Sequence, residues 1–172
     1  MGKFILLYLS IMVWAKVDPP NYDFSLDTLK DFYVGKSIDD IEKKYGMGDF
    51  LKDNKGVQTK RFYVAHIRYK FPVFVQIANG QVVDFLARLP AYFLHDVFHQ
   101  SLINRYGKQD LYFKRESNAV YIWNEKENMK MTYAGACTIT CFPIYFTGTA
   151  LTPPNGQAVE PLVQQFSTLK EN

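Results

Sequence analysis

His95 and His99, with Asp96 beside them, are the residues whose types and spacing most suggest a chemical site. Positions four apart share one face of a helix, so two imidazoles there can chelate one metal ion. Asp96 takes the place of the catalytic Glu in the His-Glu-x-x-His zinc motif, but its side chain is one methylene shorter. A catalytic zinc also needs a third protein ligand, and the remaining histidine is His66. A small metal-dependent hydrolase using His95 and His99 is therefore the alternative interpretation.

Other catalytic patterns are incomplete. Val34-Gly35-Lys36-Ser37 ends like a phosphate-binding loop, but that loop needs a glycine where this chain has Lys30. The chain has no Gly-x-Ser-x-Gly sequence around a candidate nucleophile. The sequence therefore predicts a protein that is not an enzyme, with no catalytic residue and no cofactor.

Aromatic residues are the better candidates for function, because they make up 16% of the chain. Aromatic side chains suit both a β-rich core and a protein-binding surface. Strand alternation places Tyr121 and Trp123 on one face of a strand. If helices cover only one face of a sheet, some of these rings are exposed; the alternative is that loops or the C-terminal tail cover them. The candidate binding residues are Tyr63, Tyr69, Tyr121 and Trp123.

The charge of the chain gives no reason to propose a nucleic-acid partner. The 20 basic and 17 acidic residues leave a net charge of +3, and the basic residues are spread along the chain without a basic arm. The content of hydrophobic residues, 48%, is that of a globular protein.

The N-terminus has the three parts of a secretory signal. Lys3 gives a positive start, residues 4–14 are almost wholly apolar, and cleavage after Ala15 would have short side chains at the −3 and −1 positions. The apolar run is too short to span a bilayer comfortably. We therefore expect residues 1–15 to be a signal peptide and the mature protein to be periplasmic or secreted, without stable membrane insertion.

The two cysteines, Cys137 and Cys141, fall in an apolar segment with strand character. In a strand such residues lie about 13 Å apart, whereas a disulfide needs Cα atoms within about 7 Å. The spacing favours two reduced thiols, with a strained bridge or a bridge to a partner as alternatives.

A weak internal repeat organises the chain. Residues 44–50 and 105–111 share the pattern basic-Tyr-Gly-x-x-Asp-apolar. The first copy ends a helix that opens at Ser37, whose hydroxyl can cap it, and Gly46 suits the left-handed position after that helix. The second copy ends a helix from about residue 92 to Tyr106. Asn79-Gly80 is a strong hairpin signal.

These elements predict an α+β fold with two tandem units, each a helix followed by an antiparallel β-meander, with the helices packed on one sheet face. The expected divisions are an extended lead-in at 16–34, unit 1 at 35–90, unit 2 at 91–147 and a mobile or loosely docked tail at 148–172.

The segment Gly35 to Gly46 resembles the Gly-x-Ser/Thr-x-x-x-Val/Ile-x-x-x-apolar-Gly signature of two groups. One comprises the small outer-membrane assembly lipoproteins of Gram-negative bacteria, and the other the β-lactamase inhibitor proteins, which have two tandem helix-plus-sheet units. This chain has no cysteine near the cleavage site to accept a lipid. The resemblance implies binding of another protein in the cell envelope or outside the cell, as an inhibitor or an envelope-assembly factor. It assigns no individual binding residue.

Overall fold

The computed structural model describes residues 27–66, 69–90, 95–115, 118–135, 144–152 and 159–168. The expected signal peptide and the two cysteines, Cys137 and Cys141, lie outside the described residues. The sheet and the helices below therefore refer to these ranges.

Eight strands form one antiparallel sheet with the order β1-β2-β3-β4-β8-β7-β6-β5. The strands are β1 (Asp49–Asn54), β2 (Val57–His66), β3 (Tyr69–Ala78), β4 (Gln81–Leu89), β5 (Leu111–Arg115), β6 (Asn118–Lys126), β7 (Met129–Ala134) and β8 (Ile144–Ala150). The helices are α1 (Ile38–Tyr45), α2 (His95–Tyr106) and α3 (Leu162–Thr168), with a 3₁₀ turn at Lys30–Phe32.

The expected fold class, two tandem helix-plus-meander units, is wrong. The described chain is mostly one continuous sheet, because β4 and β8 pair through its centre from Asp84–Thr149 to Leu89–Ile144. A separate meander would leave the outer backbone groups of its last strand unpaired. Pairing β4 with β8 gives hydrogen-bond partners to the outer backbone groups of both strands.

A single large core lies on one face of the sheet. One register row, made of Phe62, Val73, Ala87, Phe146 and Tyr133, crosses from β2 to β7 through the β4–β8 junction. All five side chains are buried in the same cluster. The core therefore continues across the predicted boundary between the units instead of dividing there.

Helices α1 and α2 cover this face, through buried residues such as Ile41 and Phe98. We call it the helix face, and the opposite one the second face. The 3₁₀ turn adds Phe32 to the same core. The predicted extended lead-in at 16–34 thus contributes a core residue, because an apolar ring before α1 is within reach of the helix face.

The predicted ends of both helices are correct. Gly46 has φ 85° and donates its N–H to Glu42 O at 2.9 Å, and Gly107 has φ 80° and bonds Ile103 O at 2.9 Å. Both adopt the left-handed backbone that suits a residue without Cβ. Ser37 takes the position before α1, but its hydroxyl makes no capping hydrogen bond.

Helix α3 lies on the second face, opposite α1 and α2, and belongs to the segment for which the sequence predicts a mobile or loosely docked tail. Leu162 is buried, and Val159 packs against the small apolar cluster of Val57, Ala78 and Val83. Val57 and Ala78 lie on this face by strand alternation, and Val83 joins them as the extra residue of β4 where its pairing with β3 shifts between Gln76 and Ile77.

Candidate functional site

The two candidate metal ligands lie one turn apart on α2, above tyrosines of β6 and β7. The ring centroids of His95 and His99 are 5.8 Å apart, and their planes differ by 6°. His95 stacks on Tyr133 at 5.4 Å, and the centroid of His99 is 3.9 Å from that of Tyr121. We call these four residues the His–Tyr cluster.

Burial favours the neutral form of both histidines of the cluster. Burial lowers the pKa of His95, and burial together with the neighbouring His95 lowers the pKa of His99. A 2.9 Å hydrogen bond joins His95 Nδ1 to the Tyr133 hydroxyl, and His95 Nε2 is 3.4 Å from the Tyr121 hydroxyl. A neutral imidazole donates through one nitrogen and accepts through the other, so these two tyrosines hold the ring of His95 in place.

The His–Tyr cluster does not supply the donor set of a catalytic zinc site. Within the described ranges, no three His, Cys, Asp or Glu side chains come together as a candidate metal site. Asp96 points into solvent, with its side chain 99% exposed and its Oδ1 3.9 Å from His95 Nε2. A catalytic zinc needs three protein ligands and a water, so the described residues add no support to the hydrolase alternative.

The second face carries large side chains that reach solvent. One register row across the sheet contains Tyr63 of β2, Arg88 of β4, Tyr145 of β8 and Phe113 of β5. Tyr63 is 46% exposed, Phe113 is 54% exposed, and Arg88 is exposed between them. We call Tyr63, Arg88 and Phe113 the exposed row.

The surroundings of the exposed row are basic. The guanidinium of Arg61 lies 5.3 Å from the ring centre of Tyr63, and its Nη2 bonds Asp49 Oδ2 at 2.7 Å. Besides Asp49, the acidic side chains on this face within the described strands are the buried Asp84 and the exposed Glu125, which lies beside Lys130 where the pairing of β6 with β7 shifts. The basic side chains placed there are Lys52, Arg61, Lys70, Arg88 and Lys130.

Asp84 attaches α3 to this face. Its Oδ2 accepts the backbone N–H of Leu162 at 2.6 Å, and its Oδ1 accepts the Thr149 hydroxyl at 2.6 Å. Burial raises the pKa of Asp84 to about 7, while the two hydrogen bonds act in the opposite direction. A carboxylate that is 1% exposed thus links the C-terminal helix to the centre of the sheet.

The four predicted binding residues do not form one surface. Tyr63 and Tyr69 are exposed, the latter at 58%. Tyr121 is half-buried in the His–Tyr cluster, and Trp123 is fully buried with its Nε1 donating to Gly107 O at 2.8 Å. Tyr121 and Trp123 do share a strand face, but it is the helix face.

Sequence reasoning missed Arg88 and Phe113 as surface residues. Strand β5, which carries Phe113, was not predicted, although the internal repeat gives a signal for it. In both copies the Asp-apolar step leads into an edge strand, at Asp49 in β1 and at Asp110-Leu111 in β5.

Comparison of the chain with protein-family models, with curated proteins and with solved structures gave no match. Among the described residues, none of the helices has the length and apolar character needed to span a membrane.

Proposed function

We propose that the protein is an exported protein-binding module whose contact surface is the second face of its sheet. The observation that carries this proposal is the exposed row, in which Tyr63 and Phe113 flank Arg88. Aromatic residues and arginine are enriched at the centres of protein interfaces. Their side chains here lie on regular strands, which hold them in fixed relative positions.

The dimensions of the row suit a protein partner. From β2 to β5 the strand order gives six strand spacings, or about 29 Å along the sheet at about 4.8 Å each. A standard interface buries roughly 800 Å² on each partner, a patch of similar width. A small-molecule site would instead be concave and enclosed.

Charge indicates the chemistry of the partner. The basic side chains around the exposed row outnumber the acidic ones, and the carboxylate of Asp49 is already paired with Arg61. Opposite potentials favour association and exclude partners of the same sign. We therefore expect the row to contact an acidic protein surface.

The cellular location in this proposal comes from residues 1–15. A cleaved signal would deliver the mature chain to the periplasm or the medium, where the partner would also reside. The resemblance of residues 35–46 adds two roles to be tested, inhibition of an enzyme and assembly of the envelope.

A site-specific photo-crosslinking experiment tests the binding surface. We would place a photoreactive phenylalanine analogue at position 63 of the full chain, and at Lys43 of α1 as the control. Lys43 is well exposed, with 78% of its side chain accessible, but lies on the helix side of the molecule. We expect position 63 to give a covalent adduct with an acidic envelope or extracellular protein, and position 43 to give none.

Affinity measurements with the captured partner complete the test. Tyr63→Ala and Arg88→Ala should each weaken binding by about 1–2 kcal/mol, as truncation of interface anchors does. Equal adducts from positions 63 and 43, or unchanged affinity in both alanine variants, would refute the proposed surface.

A further inference from the structure

Strand β5 forms one edge of the sheet and exposes three consecutive apolar side chains. Leu111 is 43% exposed, Tyr112 is 51% exposed and Phe113 is 54% exposed. Within the described part of the chain, β5 pairs only with β6, so its outer backbone groups face away from the sheet. An exposed apolar edge of this kind is a template for another strand.

The opposite edge strand, β1, is protected against pairing with a further strand, whereas β5 is not. The pairing of β1 with β2 shifts between Phe50 and Lys52, which leaves Leu51 as a bulge. Bulges twist an edge and interrupt further pairing. The pairing of β5 with β6 runs without a shift from Leu111 to Arg115, so the outer edge of β5 is regular.

We propose that β5 pairs antiparallel with β5 of a second copy of this chain, about a two-fold axis at Phe113. This register sets Phe113 opposite its own copy, Tyr112 opposite Lys114, and Leu111 opposite Arg115. No cation lies directly opposite another cation, which would be destabilising. Each Lys114 instead meets an exposed tyrosine ring, a favourable cation–π arrangement.

In this register the second face of one copy also continues the second face of the other. Phe113 pairs with Val120 on the second face, so two copies would join their exposed rows through a central pair of phenylalanines. On the helix face, the ring of Tyr112 lies 5.0 Å from that of Tyr121, so the second copy's lysine would extend the His–Tyr cluster. On the second face the two copies of Phe113 meet each other and Leu111 takes the position opposite Arg115, and on the helix face an aromatic residue meets a cationic one.

A two-fold arrangement closes the assembly. Both copies use the same edge, so neither copy has an unpaired β5 edge once the dimer has formed. Pairing of β5 with β1 would be head-to-tail and would leave free edges at both ends of a growing chain. The contact is one short strand wide, and contacts of that size belong to the weak, reversible class.

Sedimentation velocity of the full chain over a range of concentrations tests the dimer. We expect a monomer–dimer equilibrium with a dissociation constant in the micromolar range for the wild type. Phe113→Lys should weaken dimerisation roughly tenfold or more, because it sets two cations opposite each other on the axis. Phe50→Lys is the matched control, since Phe50 is 59% exposed on the other edge strand. It should dimerise like the wild type.

A Phe113→Cys variant tests the register independently of affinity. Directly opposed residues of antiparallel strands have Cα atoms about 4.5–5.5 Å apart, which lies within disulfide range. Mild oxidation should give a dimer whose peptide map links position 113 to position 113, and Phe50→Cys should give none. A wild type that stays monomeric at high concentration, a Phe113→Lys variant that dimerises normally, or a missing 113–113 link would overturn the proposal.

Discussion

The Asp84 carboxylate accepts the backbone N–H of Leu162 at 2.6 Å, and so joins the centre of the sheet to the C-terminal helix α3 across 78 residues. Its other oxygen accepts the Thr149 hydroxyl at 2.6 Å. Both donors come from segments that are distant in sequence, so one buried side chain holds three parts of the chain together.

Replacing Asp84 by alanine should destabilise the protein and release α3. The Leu162 N–H and the Thr149 hydroxyl would lose their acceptor, at a cost of about 1–3 kcal/mol for each buried group left without a partner. Denaturant unfolding measures the loss, and faster amide exchange limited to α3 would show local release. The control is Asp84→Asn, which keeps an oxygen acceptor. If Asp84→Ala unfolds like the wild type, the carboxylate does not anchor the helix.

The same residue predicts a pH dependence of stability. Burial raises the pKa of Asp84 from 3.8 to about 7, so the folded protein binds the proton more tightly than the unfolded chain. Stability from this group is greatest at low pH and is lost as the pH rises from about 4 through about 7. The unfolding free energy of the wild type minus that of Asp84→Asn, measured across this range, should decrease as the pH rises. A flat difference would contradict the prediction.

The His–Tyr cluster predicts the opposite trend. The pKa values of His95 and His99 are lowered, so the folded protein binds fewer protons than the unfolded chain. Stability from these groups is present above about pH 6.5, the unfolded value, and is lost as the pH falls below it. A double variant with His95→Gln and His99→Gln should show a smaller loss of unfolding free energy on acidification. Histidine resonances followed by NMR titration give the two pKa values directly, and ordinary values for both would count against the prediction.

Trp123 and Tyr63 should respond very differently to truncation. Trp123→Ala removes a fully buried ring and its hydrogen bond to Gly107, and should cost about 3–5 kcal/mol in unfolding free energy. Tyr63→Ala removes a side chain that is 46% exposed, and should change stability by about 0.5 kcal/mol or less. Urea unfolding of both variants is the measurement, and similar losses would mean that Tyr63 is also part of the core.

Cleavage after Ala15 is the prediction on which the proposed location depends. Expression of the full chain in a secretion-competent bacterial host, followed by intact-mass analysis, should show a product that begins at Lys16. The matched control is Ala15→Arg, because a small residue is needed before the cut and this variant should retain its N-terminus. Recovery of both chains uncleaved in the cytosol would contradict export.

Local features were predictable because they depend on backbone preferences of neighbouring residues. Asn79 and Gly80 both have positive φ and join β3 to β4, as that dipeptide indicates. Phe62 is buried and Tyr63 is exposed, as alternation along a strand requires. Such signals involve a few residues and need no knowledge of what packs above them.

The sequence by itself determined where α1 and α2 end, the hairpin at Asn79-Gly80, and the alternation of buried and exposed rings. Only the tertiary structure decided that β4 pairs with β8, that α2 covers Trp123, and that Asp84 receives α3. The physical reason is that the alternation of side chains along a strand indicates that one face is buried, but not which element covers that face. The sequence of a strand likewise does not indicate which strand pairs with it, because every backbone offers the same donors and acceptors.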